Sequence, residues 1–134
     1  MRDVAAVIGA YYAAFNAGDR EAFLALLTED VAHDINQGER QTGREAFGRF
    51  VDHMSRCYRE QLTDIVIMTG GAPDRGAAEF TVHGTYLVTD EGLPEAHGQT
   101  YTLPAGAFFT IRDGRVARIS NYYNLQDWLK QVGA

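Results

Sequence analysis

Residues 11–36 read YYAAFNAGDREAFLALLTEDVAHDIN, and the order of elements in this stretch decides the fold. Just upstream, Val4, Ile8, Tyr11 and Phe15 recur at spacings of four, three and four residues, with Val7 beside them. Such spacing forms one apolar stripe on a helix of about 3.6 residues per turn, so Tyr11 belongs at the centre of its buried face. Gly18 can take the left-handed conformation that closes a helix, and Asp19 can cap the next one, whose stripe is Phe23, Leu26 and Leu27. Thr28-Glu29-Asp30 ends this helix pair. Val31 to Asn36 then alternates as a short strand would, and it carries His33, Asp34 and Asn36. Ionisable groups therefore enter next to an apolar face.

Outward from this stretch, the remaining elements follow in a simple order. Thr42-Gly43-Arg44-Glu45 has the pattern of a capping box and predicts a third helix to about Tyr58, with Phe47, Phe50, Val51, Met54 and Tyr58 inward. Four strands are expected after it: Leu62 to Thr69, Gly76 to Thr89, Thr100 to Arg112 and Arg115 to Tyr123. They are punctuated by Gly70-Gly71-Ala72-Pro73-Asp74, Asp90-Glu91-Gly92 and Asp113-Gly114. The Asp113-Gly114 pair between alternating segments is a hairpin signal. Helices first and strands last predict an α+β architecture, a curved antiparallel sheet closed by the N-terminal helices. A length of 134 residues predicts one domain over 1–134, since a domain usually takes about 100–200 residues.

Charge and composition exclude several function classes. The formal net charge is −6, without a basic cluster interleaved with aromatics, which argues against nucleic acid and acidic membrane surfaces as partners. The N-terminal segment lacks the apolar core of a signal peptide, and no apolar run approaches the roughly 20 residues that span a bilayer, so a cytoplasmic location is expected. The single cysteine, Cys57, rules out an internal disulfide and predicts a small core residue. His33, His53, His83 and His97 are widely separated and no two share an i, i+4 helical spacing, so no metal is expected. The glycine-rich stretches open no helix with a phosphate-binding pattern, and no cofactor is expected either.

The run Asn16-Ala17-Gly18-Asp19, then Ala25-Leu26-Leu27, Glu29-Asp30 and Gly43, resembles the ketosteroid isomerase-like and SnoaL-like proteins of the NTF2-like superfamily. The tail Val116 to Leu125, followed by Trp128-Leu129-Lys130-Gln131, resembles SnoaL-like relatives that end in a strand and a short helix. The resemblance covers most of the chain. It implies a cone-shaped fold with a cavity, homodimers paired through the outer sheet face, and a scaffold that carries many activities or none.

In the isomerase relatives, the resemblance implies, a carboxylate base moves a proton next to a ketone while a tyrosine and a protonated aspartic acid bond the oxyanion. Tyr11 matches that tyrosine. The base position is open: counting from Glu29-Asp30 places Ile35 there, with Asp34 one residue earlier. Either a bulge turns Asp34 inward as base, or His33 and Ile35 face the cavity, with His33 as base at an ordinary pKa of about 6.5. The second oxyanion donor is missing, since Ala107 or Gly106 occupies its place, and losing one such donor commonly costs on the order of 100- to 1000-fold in rate. Efficient steroid isomerisation is therefore not expected.

Ligand-binding candidates come from the strand faces. Phe80, Val82, Gly84 and Tyr86 share one face, expected to point inward, and Gly84 either leaves room for a flat ligand or marks a bend. Phe109 on the next strand, and Ile119, Asn121 and Tyr123 on the last, are expected on the same inner surface. Asn121 is thereby a polar group in an apolar place, where a buried amide needs a partner or a ligand, and Asn36 is expected to orient a ligand together with it and Tyr11. Three function classes follow: a cofactor-independent enzyme acting by acid/base chemistry on a small hydrophobic carbonyl, lactone, epoxide or polycyclic compound; a non-catalytic binder of such a ligand; or a dimeric adaptor with a vestigial pocket.

Overall fold

The computed structural model describes residues 3–133. Two helices open the chain, α1 (Val4–Ala17) and α2 (Arg20–Ala25). Asp3 caps the first by accepting from the Ala6 amide at 2.7 Å. Gly18 closes it at φ 68°, and the Asp19 side chain caps the second from 3.0 Å. The α1 stripe is rotated slightly from expectation: Val7, Ile8, Tyr11, Tyr12 and Ala14 are buried, while Val4 and Phe15 are only partly so.

Strand β1 (Leu27–Asp34) starts earlier than its alternation suggests and is followed by a short β2 (Arg40–Thr42) that the sequence pattern does not reveal. Helix α3 (Arg44–Cys57) begins at Gly43, at φ 108°, with no side-chain cap, so the expected capping box of Thr42 and Glu45 does not form. With the chain held in a glycine-only conformation at that point, Thr42 is displaced from the cap position. Strands β3 (Tyr58–Gly70), β4 (Ala72–Tyr86), β5 (Thr100–Arg112) and β6 (Arg115–Tyr123) follow, then helix α4 (Leu125–Val132). Asp113 and Gly114 both adopt positive φ, 54° and 72°, as a two-residue hairpin turn of the primed type requires.

The six strands form one curved sheet in the order β2-β1-β6-β5-β4-β3. Pairing is antiparallel except that β1 runs parallel to β6, which the expectation of an antiparallel sheet missed. On the concave side α1 packs against β3 to β6, and α3 leans on β1 and on β3, at opposite sides of the sheet. Between them the concave floor is laid down by register. Asn121 lies opposite Ala107, which lies opposite Ala78; Tyr123 lies opposite Ala105, which lies opposite Phe80. Three alanines, Ala78, Ala105 and Ala107, keep this floor low.

Gly84 belongs to this floor but opens no space for a ligand. A Cβ built there would meet the Tyr101 ring at 2.2–2.3 Å and its hydroxyl at 2.5 Å, so the phenol lies directly on the glycine backbone and fills the room that one of the two readings of Gly84 gave to a flat ligand. Placing even a methyl group there forces Tyr101 to move. Gly84→Ala is therefore expected to lower stability by about 1–3 kcal/mol, the usual range for overpacking, in a urea titration. An unchanged midpoint and slope would show that the ring does not depend on that slot.

Candidate active site on the concave face

The register of β1 fixes which ionisable group faces inward. His33 pairs with Ile119 and Asp34 with Ser120, and Ile119 is fully buried on the concave side. Adjacent residues of a strand point to opposite faces. His33 thus turns inward and Asp34 outward, which corrects the alternative in which a bulge brings Asp34 into the cavity. On the convex side Asp34 accepts two hydrogen bonds from Arg40, at 2.6 and 3.0 Å, and one from the Ser120 hydroxyl at 2.5 Å. The Arg40 guanidinium holds its carboxyl down at about 2. A carboxylate so placed and so acidic is a poor base at neutral pH, and its physical role is to lock β2 and β6 to β1.

His33 is 2% exposed. Its ring stacks on Phe47 at 4.2 Å and meets the edge of Phe50 at 4.7 Å, both from α3. Nε2 lies 3.4 Å from the Asn121 side-chain nitrogen, and Nδ1 is sealed from water without a partner. Burial pushes the imidazole down to about 4, against a smaller upward pull from Asp34. The ring is accordingly neutral at pH 7. With an amide N–H directed at Nε2, the lone pair sits on Nε2 and the ring proton on Nδ1, an assignment made from the contact. A neutral imidazole lone pair and an amide donor stand side by side on the concave face.

Tyr11 is in the expected helix frame but in a different environment. Its ring packs against Tyr12, Phe23 and Phe109 at centroid distances of 5.1, 4.6 and 5.4 Å. Phe23 and Phe47 intervene between it and His33. Its hydroxyl forms no hydrogen bond among the described residues, and burial raises its pKa well above the ordinary phenol value. The phenol therefore stays protonated and is available as a donor, but it is not joined to His33 or Asp34. Phe109 is fully buried against Tyr11 and Tyr12, a core residue and not part of an open wall.

Tyr86 is likewise committed elsewhere: it is fully buried, its hydroxyl donates to the Pro94 carbonyl at 2.7 Å and accepts from the Asp90 amide at 2.9 Å, and it so ties down the loop after β4. Asn36 accepts from the Tyr123 amide at 3.0 Å, holding the end of β6, while its side-chain nitrogen is a buried donor without a partner. Tyr123 is 39% exposed at the edge of the concave face.

One pair escaped the sequence analysis. Glu60, at the start of β3, lies opposite Gly84 on the concave side, and the buried Tyr101 hydroxyl donates to its carboxylate at 2.5 Å. Burial raises the Glu60 pKa, partly offset by the Tyr101 bond. The signal that could have found it was Gly84 itself, whose missing side chain makes the slot for Tyr101.

At the C-terminal end of α3, donor atoms of His53, Cys57 and Asp90 lie within 4.8 Å of one another, a set that could approach a metal ion. Asp90 already accepts from Tyr58 at 2.8 Å and pairs with His53 at 2.8 Å, so these groups satisfy each other and pin the loop. Two open hollows of about 820 and 350 Å³ lie away from His33. The larger is walled mainly by alanines of α1 and α2, and the smaller sets Arg44, Arg112 and Arg115 against Glu29 and Asp113. The neutral imidazole of His33 and the carboxyl of Glu60, raised in pKa by burial, both stand on the concave face, away from these hollows.

The cone of helices over a curved sheet, with polar groups set in its concave wall, has a matching family model, the SnoaL-like domain, over residues 8–119. The chain belongs to the SnoaL-like domain family. A candidate polyketide cyclase from Pseudomonas putida is 63% identical over 98% of this chain and 99% of its own, with a TM-score of 0.96. Another from Xanthomonas campestris pv. campestris is 57% identical over 94% of this chain and 93% of its own, at 0.90. A third, from a Silicibacter species, is 57% identical over 96% and 93%, at 0.93. An NTF2-like protein from Burkholderia pseudomallei, 17% identical over 100% of both chains with a TM-score of 0.81, shares the fold. No curated protein matches the chain.

The depressed His33 pKa of this SnoaL-like domain has a consequence for stability. The unfolded chain takes up a proton near pH 6.5, whereas the folded protein resists until about pH 4. The stability tied to the neutral ring is complete above pH 6.5 and lost as the pH falls from 6.5 to 4. Wild type is expected to lose about 3 kcal/mol across that window relative to His33→Gln, in paired urea titrations. Parallel curves for the two proteins would mean that His33 is solvated.

Proposed function

We propose that the concave face binds a small, mainly apolar ring compound carrying carbonyl or phenol oxygens and moves a proton on it without a cofactor. His33 acts as the base through Nε2, a weak one because burial holds the ring down at about 4, and the Asn121 amide, which otherwise donates to Nε2, turns to the oxygen that gains negative charge. The observation that carries this reading is the 3.4 Å contact between a neutral, inward imidazole and the Asn121 amide. Proton removal beside a carbonyl needs a base and an oxyanion donor a few ångströms apart, and the two side chains supply that pair. The side-chain amide of Asn36, a buried donor without a partner, is a further donor near the end of β6. The names of the close relatives support the substrate class, since three of them are candidate polyketide cyclases. With one amide donor in place of two acids, the site suits activated, oxygen-rich rings better than a simple steroid ketone.

Alizarin, a planar dihydroxyanthraquinone whose absorption reports phenol ionisation, is a suitable probe. Wild type is expected to bind it with micromolar affinity. His33→Phe and Asn121→Leu should each weaken binding about tenfold, the scale of one lost buried hydrogen bond. Absence of binding up to about 1 mM, or unchanged affinity in both variants, would contradict the assignment.

The protein is further proposed to work as a homodimer joined through the convex face. Val66, Met68, Phe108 and Tyr122 are exposed there, and the Phe108 and Tyr122 rings pack edge to face at 5.6 Å. Large apolar groups clustered on a sheet surface are typical of interfaces. Sedimentation velocity should show a dimer that Phe108→Asp converts to monomer; a monomeric wild type would reject this interface.

A further inference from the structure

Besides His33, Glu60 is a second acid/base side chain set into the concave wall, opposite Gly84. It stands at the opposite side of the sheet from His33, on β3, while His33 is on β1. Along α3 the rise from Phe47, which stacks on His33, to the last helical residue Cys57, next to the Tyr58 that opens the strand of Glu60, is roughly 15 Å at 1.5 Å per residue. They are thus independent places on one wall. One carboxylate oxygen of Glu60 accepts the Tyr101 hydroxyl, and the other accepts no hydrogen bond among the described residues. Tyr101 cannot swing away easily, because its ring is held on the backbone of Gly84 and against the edge of Trp128 at 6.0 Å. Tyr123, partly exposed at the edge of the face, lies close enough to feel the Glu60 charge. A desolvated carboxyl with a fixed donor on one oxygen and a free second oxygen is the arrangement of a general base, and burying such a group without function costs stability.

We propose that Glu60 is a second proton-transfer group of the concave face, taking a proton from an acidic C–H or O–H of an apolar ring compound, with Tyr101 as its positioning residue. This rests on the concave face being the ligand site, and it does not require His33 to be the base there. In the forward step the free oxygen of Glu60 takes the proton and becomes a carboxyl, and the electron pair left behind moves onto the electronegative atom of the ligand. Burial favours the carboxyl form and so helps Glu60 hold the proton it has taken, while Tyr101 restrains that shift by bonding the carboxylate.

The test uses 5-nitrobenzisoxazole, an apolar ring whose opening needs only a base. The base takes the C–H proton, the C–H electrons form the nitrile as the N–O bond breaks, and the oxygen leaves as a coloured cyanonitrophenolate. Wild type should catalyse this well above free acetate at equal concentration. Glu60→Gln should reduce kcat/KM about 100-fold, with circular dichroism and urea titration confirming that it folds. Tyr101→Phe removes the bond that lowers the Glu60 pKa, so the rise of rate with pH should move to higher pH; a merely structural tyrosine would leave that midpoint in place. Wild-type activity no greater than that of acetate, full activity in Glu60→Gln, or an unmoved midpoint in Tyr101→Phe overturns the inference. Loss of the rate in His33→Phe but not in Glu60→Gln would overturn it too, while leaving the His33 base intact.

Discussion

The convex-side lock of Asp34 onto Arg40 and Ser120 sets the register on which the rest of the site depends. Arg40 grips both carboxylate oxygens, Ser120 adds a third bond, and Arg118 in turn donates to Ser120 at 2.6 Å. These contacts are partly exposed and individually weak. Their importance is geometric: a shift of one residue in β1 would carry His33 to the outside and Asp34 to the inside. Three strands, β2, β1 and β6, meet at this one carboxylate, so the polar outer face determines what the apolar inner face presents.

From that register the concave face follows by simple periodicity. His33 falls beside Asn121, and the aromatic face of α3 closes over the imidazole and keeps it neutral. The same alternation on β4 and β5 places Gly84 beneath Tyr101 and aims the phenol at Glu60. Two titratable groups, one pushed below its ordinary pKa and one above it by burial, thus stand on one wall.

Much of this was legible in the sequence, for reasons that are local. The α1 stripe, the Gly18-Asp19 break, the Asp113-Gly114 turn and the bounds of β5 and β6 each rest on a period or a backbone preference spanning a few residues. The inner faces of β4 to β6 were legible too, because period two leaves no ambiguity once a strand is assigned. The direction of His33 and Asp34 was not, since it depends on Arg40 and Ser120, which lie six and 86 residues away. Tyr86 and Phe109 were placed on the correct face, but whether an inward residue lines a space or fills the core is a matter of packing that alternation does not encode. Glu60 sits where the helix and strand patterns meet, two residues before the expected strand, and its role depends on a contact with Tyr101 across 41 residues.

The most direct test of the account is the protonation of the His33 ring, followed by long-range proton–nitrogen correlation in the ¹⁵N-labelled protein. The account predicts a neutral ring at pH 7, with the proton on Nδ1, a midpoint near pH 4, and a shift of the Nε2 resonance when alizarin binds. A midpoint at or above about 6.5, or an Nε2 signal indifferent to the ligand, would contradict it, because His33 would then be a solvated surface group and not the base of a concave site.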